Sequence, residues 1–459
     1  MITSNYFSNK TFLVLGMGKT GLSLIRALSK SKANIVYWDD DLKIRKQFAK
    51  TNYKKFINTK KKWSEIDYVI PSPGIGITGK SQHKIINYAK KNNKKIVSEL
   101  DLFQFAISKH KKINKNNIKI IAVTGTNGKS TIVTLINHLL KSNGLRTSLI
   151  GNIGNSIFSS KLITNGFYVI EVSSYQLETS KIFAPNIAVI TNLSSDHLSR
   201  HKNMKNYFNQ KSKIFVNLKN DDTAILNCNH KLIKSKFSEL LRNKKSNIIS
   251  LNFEKRESQF YSSKKKSLIT TKLRRIKHNN LSLLGEHNEE NVQITHKVLT
   301  SLKLKNLSLK KELNSYIGLD HRQELIFNNE YLMIINDSKA TNIESMVRAL
   351  KNYKNIYLIC GGVLKDKNLN ILLPYVNKIK KVYITGVEKN LFINFFSKTN
   401  KIYSSSNLNE IIRECYNDIN LKKYSTILFC PGAASFDQFK NFEERGEKFK
   451  KIISRKFML

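Results

Sequence analysis

The residues best placed to do chemistry sit in two glycine-rich loops. In "AVTGTNGKSTIVTLINHLL" a strand-like apolar run breaks at Gly125 and Gly128 and then opens an amphipathic helix. Glycines there let backbone N–H groups curl around phosphate oxygens, Lys129 neutralises the β- and γ-oxygens, and Ser130 or Thr131 offers a hydroxyl to Mg²⁺. The general pattern G-x-x-x-x-G-K-[ST] has a glycine where this chain has Val123. The other loop, "FLVLGMGKTGLS", places Gly16, Gly18 and Gly21 in the G-x-G-x-x-G spacing that seats a pyrophosphate at a helix N-terminus. Asp39 ends the next apolar stretch, about 20 residues on, where a dinucleotide fingerprint carries its ribose-binding carboxylate. Taken alone, that loop indicates a nicotinamide- or flavin-dependent enzyme. An ATP loop at the centre of the chain argues against ordinary hydride transfer.

Two more residues stand at strand ends. Glu171 closes "FYVIEVSS", a strand too apolar to carry an acid idly, because burying an unpaired charge is costly. His197, in "SSDHLSRH", follows the apolar strand "NIAVIT"; His201 in the same stretch reads as a surface residue.

These positions need strands and helices to aim them, and three blocks supply the pattern. The first holds "TFLVLGMGKTGLSLIRALSK", "NIVYWDD", "IDYVIPSPGI" and "KKIVSEL". The second holds "IKIIAVTGTNGKSTIVTLINHLLKSNG", "TSLIGNIG", "FYVIEVSSYQLE", "NIAVITNLSSDH" and "DTAILN"; the third holds "YLMIINDSKATN", "NIYLICGG", "KVYITG" and "STILFCPGAASF". Short β-rich runs alternating with helical periods predict an α/β protein, with parallel sheets and ligands in the loops at the strands' carboxyl ends. Polar stretches at 109–117 and 302–318 separate the blocks, giving expected domains at 1–106, 107–316 and 317–459. "KFSELLRNKKSN" reads as a surface helix, and "ESQFYSSKKKSLITTKLRRIKHNN" as solvated strands or loops.

The bulk composition agrees. A chain of 459 residues suits about three domains. The net charge of +46 would gather phosphorylated ligands and nucleic acid alike. Its lysines are spread along the chain with no clustered arm or nucleic-acid motif, so no specific nucleic-acid partner is expected. Cys228, Cys360, Cys415 and Cys430 are far apart, which argues against a disulfide framework or zinc site and fits a reducing compartment. No apolar run reaches the roughly 18 residues of a spanning helix, and the first apolar stretch reads as a buried strand rather than a signal peptide. A soluble cytoplasmic protein with no membrane partner is expected.

The motifs together resemble the Mur ligases and folylpolyglutamate synthases, which join an amino acid to a carboxylate using ATP. "TGTNGKST" is similar to their shortened phosphate loop, and "GNIG", "EVSSYQLE", "TNLSSDHLSRH", "GEHNEENV", "GLDHRQE" and "NDSKATN" follow in the family's order. The last stretch, "PGAASFDQFKNFEERG", looks like the C-terminal signature of the Mur branch that adds D-glutamate to UDP-N-acetylmuramoyl-L-alanine in peptidoglycan synthesis. The resemblance covers nearly the whole chain. It implies a Rossmann-like UDP-binding domain, a central P-loop ATPase domain with a mostly parallel sheet, and a C-terminal Rossmann-like domain. It also implies that ATP phosphorylates the substrate carboxylate to an acyl phosphate, which the amino group of D-glutamate attacks, with two Mg²⁺ ions bridging nucleotide and acceptor. A monomer is expected.

Residue by residue, the resemblance implies that Gly125, Thr126, Asn127, Gly128, Lys129, Ser130 and Thr131 bind ATP, joined by Asn291, Arg322 and Asp337. Ser130, Glu171 and His197 become metal-site residues, and Lys129, Glu171, His197 and Lys211 the catalytic set. The family's carbamylated lysine, a further metal ligand, falls on Lys211 when counted from His197, with Lys213 the alternative. Gly18, Thr20, Asp39, Ser72, Pro73, Gly74 and Asn152 match the UDP-sugar end. Thr341, Lys365, Ser435 and Phe442 match the D-glutamate pocket, which needs a cation and hydroxyl or backbone donors for a dicarboxylate. "ICGGVLKDKN" departs from the commoner pattern, in which an acid or glycine precedes the basic residue, so Lys365 or Lys367 serves. Against sibling ligases adding another amino acid, the chain lacks the G-x-G-G-x-G of the alanine-adding type and the D-N-P-R of the diaminopimelate- or lysine-adding type. Folylpolyglutamate synthase lacks the first block. The reading from a different class is a basic P-loop protein that binds nucleic acid through its charge.

Overall fold

The apolar runs become the strands of three separate sheets in a computed structural model that describes residues 1–114, 116–304, 309–365, 367–419 and 423–457. The first sheet is parallel throughout, in the order Lys54–Lys55, Asn34–Trp38, Thr11–Leu15, Tyr68–Pro71, Lys95–Ile96. Successive side chains of a strand point to opposite faces. In Thr11–Leu15 that alternation sends Phe12 and Val14 into one apolar cluster and Leu13 and Leu15 into another, so the sheet is covered on both faces.

The second sheet has eight strands, running Ser267–Lys272, Glu257–Ser262, Asn247–Asn252, Thr223–Asn227, Ile187–Ile190, Ile118–Thr124, Gly166–Glu171, Thr147–Gly151. Its first two strands form the antiparallel edge, at the stretch expected to be solvated, and all but the first residue of Ser267–Lys272 are exposed. The rest pair in parallel. Ile118–Thr124 lies between Ile187–Ile190 and Gly166–Glu171, where the strand order reverses and a crevice opens at the carboxyl ends. Both sheets belong to one compact unit, Met1–Ile276 with Glu290–Glu312. One cluster of buried residues runs through both, from Phe12 and Ile25 by way of Leu100 and Phe103 to Ile120 and Ile170.

The helix Glu99–Asn114 joins the two sheets and takes up 109–114 of the expected polar separator. It buries Leu100, Phe103, Ala106 and Ile107 at helical spacing, and its lysine-rich tail continues the same helix. Asp101 is buried at its start and accepts hydrogen bonds from Ser180 Oγ and from the Lys181 and Ile182 N–H groups, each at 3.0 Å. Residues 115 and 305–308 of the two separators lie outside the described residues.

The second unit, Lys277–Glu289 with Leu313–Leu459, holds the third sheet in the order Glu324–Asn328, Leu332–Asn336, Ser425–Phe429, Ile356–Gly361, Ile379–Thr385, Lys401–Ser404. Only Glu324–Asn328 is antiparallel. Ile335, Leu358 and Leu428 face one apolar cluster and Ile334, Ile359 and Phe429 the other. All four cysteines are buried and free, and among the described residues no helix is long and apolar enough to cross a membrane.

Candidate active site

The loop after Ile118–Thr124 is built for a close backbone approach. Gly125 and Gly128 adopt φ of 146° and 82°, which side-chain-bearing residues rarely take. A Cβ on Gly125 would meet the Thr191 hydroxyl, and one on Gly128 the amide oxygen of Asn291. Segment 191–194 braces the loop from outside: Asn192 Oδ1 accepts from the Asn127 N–H at 2.8 Å, and Thr191 Oγ1 donates to the Asn127 carbonyl at 2.7 Å. Gly128 caps the helix Lys129–Ser142, which buries Ile132, Val133, Leu135, Ile136, Leu139 and Leu140. The helix N-terminus, with its partial positive charge, therefore faces the crevice on a rigid support. Ser130 is buried in its first turn and Thr131 half-buried.

Two amines converge on one carbonyl of this loop. Lys129 Nζ donates to Gly125 O at 3.0 Å and to Thr126 O at 2.8 Å; Lys211 Nζ donates to Gly125 O at 2.7 Å. Lys211 is buried in the helix Met204–Ser212 with its Nζ 4.5 Å from the centre of the Tyr207 ring. Burial, reinforced by the Lys129 charge, holds its amine well below the ordinary lysine pKa. Lys213 is turned elsewhere, donating to the Glu178 carbonyl at 2.7 Å.

Glu171 ends the strand beside the loop, in register with Val123. It is buried; Oε1 accepts from Asn152 Nδ2 at 3.0 Å, and Oε2 has no hydrogen-bond partner among the described residues. Asn152, assigned from sequence to the UDP-sugar end, thus holds the carboxylate. His197 has φ of 53° and an exposed side chain, with Nδ1 3.0 Å from the Tyr175 hydroxyl and Nε2 3.4 Å from Asp196 Oδ2. His201 corrects the expectation of a surface residue. It is buried between the Tyr175 and Tyr207 rings, with Nε2 3.0 Å from Ser174 Oγ, and burial lowers its pKa.

Among the described residues no three His, Cys, Asp or Glu side chains form a metal cluster. A buried carboxylate oxygen without a partner nevertheless suits a hard cation, and Mg²⁺ is commonly held by one or two carboxylates plus substrate phosphates and water. The residues fit such an ion when nucleotide supplies the remaining oxygens.

In the first sheet, the glycine loop follows Thr11–Leu15 at the centre of the strand order. Gly16 has φ of 86°, and a Cβ on Gly21 would strike the Gly16 carbonyl. Gly18 is different: its φ is −69° and a Cβ there would meet nothing. Asp39 closes the loop, accepting from the Met17 N–H at 2.6 Å and the Asp41 N–H at 2.9 Å, and Ser72 Oγ donates to Gly16 O at 2.9 Å. Thr20 is half-buried in the first helical turn, and Pro73 and Gly74 follow Ser72 in the neighbouring loop.

In the second unit, three loops at the carboxyl ends of adjacent parallel strands meet. Val363 and Ala434 exchange backbone hydrogen bonds at 2.9 and 2.8 Å, bringing Lys365 and Ser435 onto neighbouring loops. Ser338 Oγ donates to the Phe442 carbonyl at 2.9 Å, and Lys339 Nζ lies 3.8 Å from the Phe442 ring centre. Thr341 is half-buried in the same loop as Lys339. Buried Arg445 ties these segments together, donating to Ser338 Oγ, Ser338 O and Ala433 O at 3.1, 2.8 and 3.0 Å. Lys367 lies 3.8 Å from Glu388 Oε1, whereas Lys365 makes no ion pair among the described residues. Asp337 is buried with its pKa pushed up to about 7 by burial; the Gln323 N–H donates to its Oδ1 at 3.2 Å. Arg322 is half-buried beside Gln323. Tyr175, Tyr207 and Arg445 went unmarked by sequence reasoning. Their only signal was membership of the motifs "EVSSYQLE" and "PGAASFDQFKNFEERG" and of the stretch "YFNQKSKIF".

Residues 123–298 match the model of the Mur ligase middle domain. A UDP-N-acetylmuramoylalanine–D-glutamate ligase of Rickettsia bellii is 36% identical over 448 residues, 96% of each chain. The protein of the same name from Rickettsia prowazekii is 34% identical over 98% of this chain and 99% of its own. Among solved structures, a MurF ligase from Thermotoga maritima in complex with ADP shares the fold at a TM-score of 0.57 and 14% identity, covering 99% of this chain and 97% of that one. The UDP-N-acetylmuramate-alanine ligase of the same organism does so at 0.55 and 17%, covering 97% and 99%.

Proposed function

The chain belongs to the Mur ligase family, and from that premise we propose that it is an ATP-dependent amide ligase adding D-glutamate to UDP-N-acetylmuramoyl-L-alanine in peptidoglycan synthesis. The observation that carries the site assignment is the convergence at one phosphate loop of Lys129, the buried amine of Lys211 and the unpartnered oxygen of Glu171.

Amide formation from a carboxylate needs a better leaving group than hydroxide, and ATP supplies it as an acyl phosphate. Phosphoryl transfer leaves the protein mainly positioning and charge neutralisation to perform. Gly125 to Gly128 cradle the phosphates with backbone N–H groups, and Lys129 exchanges its two carbonyl partners for phosphate oxygens. Asn291 flanks the loop at Gly128, while Asp337 and Arg322 contact ribose and nucleotide. Ser130, Glu171 and His197, with Lys211, would hold two Mg²⁺ ions, which when bound would supply positive charge for the transferring phosphoryl group and the acyl acceptor.

Lys211 enters that set as a carbamate. A neutral amine is the form that attacks carbon dioxide: its lone pair forms the N–C bond, a proton leaves, and a cation becomes an anion. Burial next to Lys129 shifts Lys211 towards that neutral form, whereas Lys213 is engaged at Glu178. The loops at Gly18, Thr20, Asp39, Ser72, Pro73 and Gly74, with Asn152, receive the UDP-sugar end. Thr341, Lys365, Ser435 and Phe442 receive D-glutamate, with Lys365 rather than Lys367 as its cation. The functional domains are 1–106, 107–316 and 317–459, and the protein works as a cytoplasmic monomer without a specific nucleic-acid partner.

A phosphate-release assay with ATP, Mg²⁺ and UDP-N-acetylmuramoyl-L-alanine, challenged with a panel of amino acids, tests the assignment. Release dependent on D-glutamate is expected; turnover with another amino acid and none with D-glutamate overturns it.

A further inference from the structure

Between the first and second sheets of the first unit lies a narrow cleft, lined among others by Ser72, Pro73, Ile75, Tyr175, Glu178 and Arg200. Arg200 dominates its polar chemistry. Its Nε and Nη2 both donate to Glu178 Oε2, at 3.2 and 2.7 Å. Nη2 also donates to the Ile75 carbonyl at 2.8 Å, and Nη1 reaches the Gly74 carbonyl at 3.5 Å. The pair is nearly dry, its side chains 12% and 8% exposed. On the far side, Thr78 Oγ1 donates to Glu178 Oε1 at 3.2 Å.

This arrangement joins two parts of the site that sequence order keeps apart. Arg200 belongs to the single helical turn Leu198–His201 that His197 caps. The guanidinium stands 5.4 Å from the ring centre of Tyr175, whose hydroxyl lies 3.0 Å from His197 Nδ1. The carbonyls it holds belong to the loop that begins at Ser72, itself bonded to the first glycine loop through Gly16 O. A planar guanidinium offers several donors in fixed directions and holds a carboxylate and two carbonyls together at set spacings; an ammonium presents three rotatable donors from a single point and does not fix those spacings.

We propose that Arg200 is a positioning residue for the UDP-sugar substrate. It clamps the Gly74 and Ile75 carbonyls against Glu178, one helical turn from His197, and so fixes the spacing between the loop that receives the sugar nucleotide and the histidine beside the acyl acceptor. The inference rests on the assignment of Ser72, Pro73 and Gly74 made above.

Steady-state kinetics of the full-length wild type, Arg200→Lys, Glu178→Gln and Thr78→Val provide the test, with melting temperatures and ATP affinity measured on each. Arg200→Lys is expected to raise KM for UDP-N-acetylmuramoyl-L-alanine by about tenfold or more while KM for ATP stays within about twofold. Glu178→Gln, which keeps one acceptor oxygen but removes the carboxylate charge that holds the fork, shifts the same constant in the same direction. Thr78→Val, which takes one hydroxyl from the other Glu178 oxygen and leaves the Arg200 contacts in place, shifts it by less than either. Loss of kcat in proportion to folded protein, with every KM unchanged, overturns the positioning role. Should Arg200→Lys fail to fold, an unchanged sugar-nucleotide KM in Glu178→Gln overturns it equally. A wild type that does not turn over UDP-N-acetylmuramoyl-L-alanine overturns the underlying substrate assignment instead, an outcome separate from either.

Discussion

At the scale of single residues, buried charge decides most outcomes. Lys129→Ala removes the cation aimed at the phosphates and should reduce kcat/KM by about 10³-fold or more, with a melting temperature close to wild type; normal turnover in the phosphate-release assay would exclude the ATP-loop assignment. Lys211 should carry the added mass of one carbon dioxide under bicarbonate, read by native mass spectrometry, and lose it in Lys211→Arg; an adduct on Lys213 instead would reverse the choice. Glu99 provides a pH-dependent test of stability. It is buried, accepts a 2.6 Å hydrogen bond from Gln176 Nε2, and burial pushes its pKa up to about 7. The folded state favours the neutral acid, so its contribution is full below the unfolded pKa, declines as pH rises towards about 7, and is level above. Glu99→Gln should therefore flatten that part of the pH dependence, gaining stability relative to wild type near pH 8; melts that stay parallel from about pH 4 to 8 would contradict it. Sequence made the glycines, Lys129 and Glu171 legible because their residue types are improbable in an apolar strand–turn–helix. It left His201 at the surface, because nothing in "HLSRH" shows that Tyr175 and Tyr207 close over it.

At the scale of elements, the glycine turns explain why strand ends were easy to read and helix ends were not. A turn that needs positive φ permits few residues, so "GTNGK" announces itself. A lysine-rich tail is compatible with both helix and coil, so 109–114 read as a separator although it completes the helix Glu99–Asn114. Gly128→Ala meets two obstacles, the left-handed backbone and the Asn291 amide, and should destabilise the protein by about 1–3 kcal/mol. Adding Asn291→Ala removes the second obstacle only. Chemical denaturation of both single variants and the double should show a combined loss smaller than the sum. The first glycine loop separates fold from function differently. Gly16 and Gly21 are needed by the backbone, whereas Gly18 is open, which leaves room for a diphosphate. That loop should bind UDP-N-acetylmuramoyl-L-alanine and show no calorimetric heat with NAD, although its spacing fits both.

At the scale of the whole molecule, the α/β order was legible because each block repeats strand, glycine turn and helix. The single core shared by the first two sheets was not, since residues such as Phe103 and Tyr168 meet only after folding. The net charge of +46 is likewise a property of no one element. All three substrates are anions under physiological conditions, and a strongly positive field raises their encounter rate without contributing to the chemical step. Salt shortens the reach of that field from about 30 Å at 0.01 M to about 8 Å at 0.15 M. Steering therefore predicts that kcat/KM for ATP and for the sugar nucleotide falls across that range while kcat at saturation changes little. D-glutamate, with its single net negative charge, should show the weakest dependence. A kcat that falls in step with kcat/KM would place the effect of salt on the steps after binding rather than on encounter, and the lysine excess would then have no part in capturing substrate.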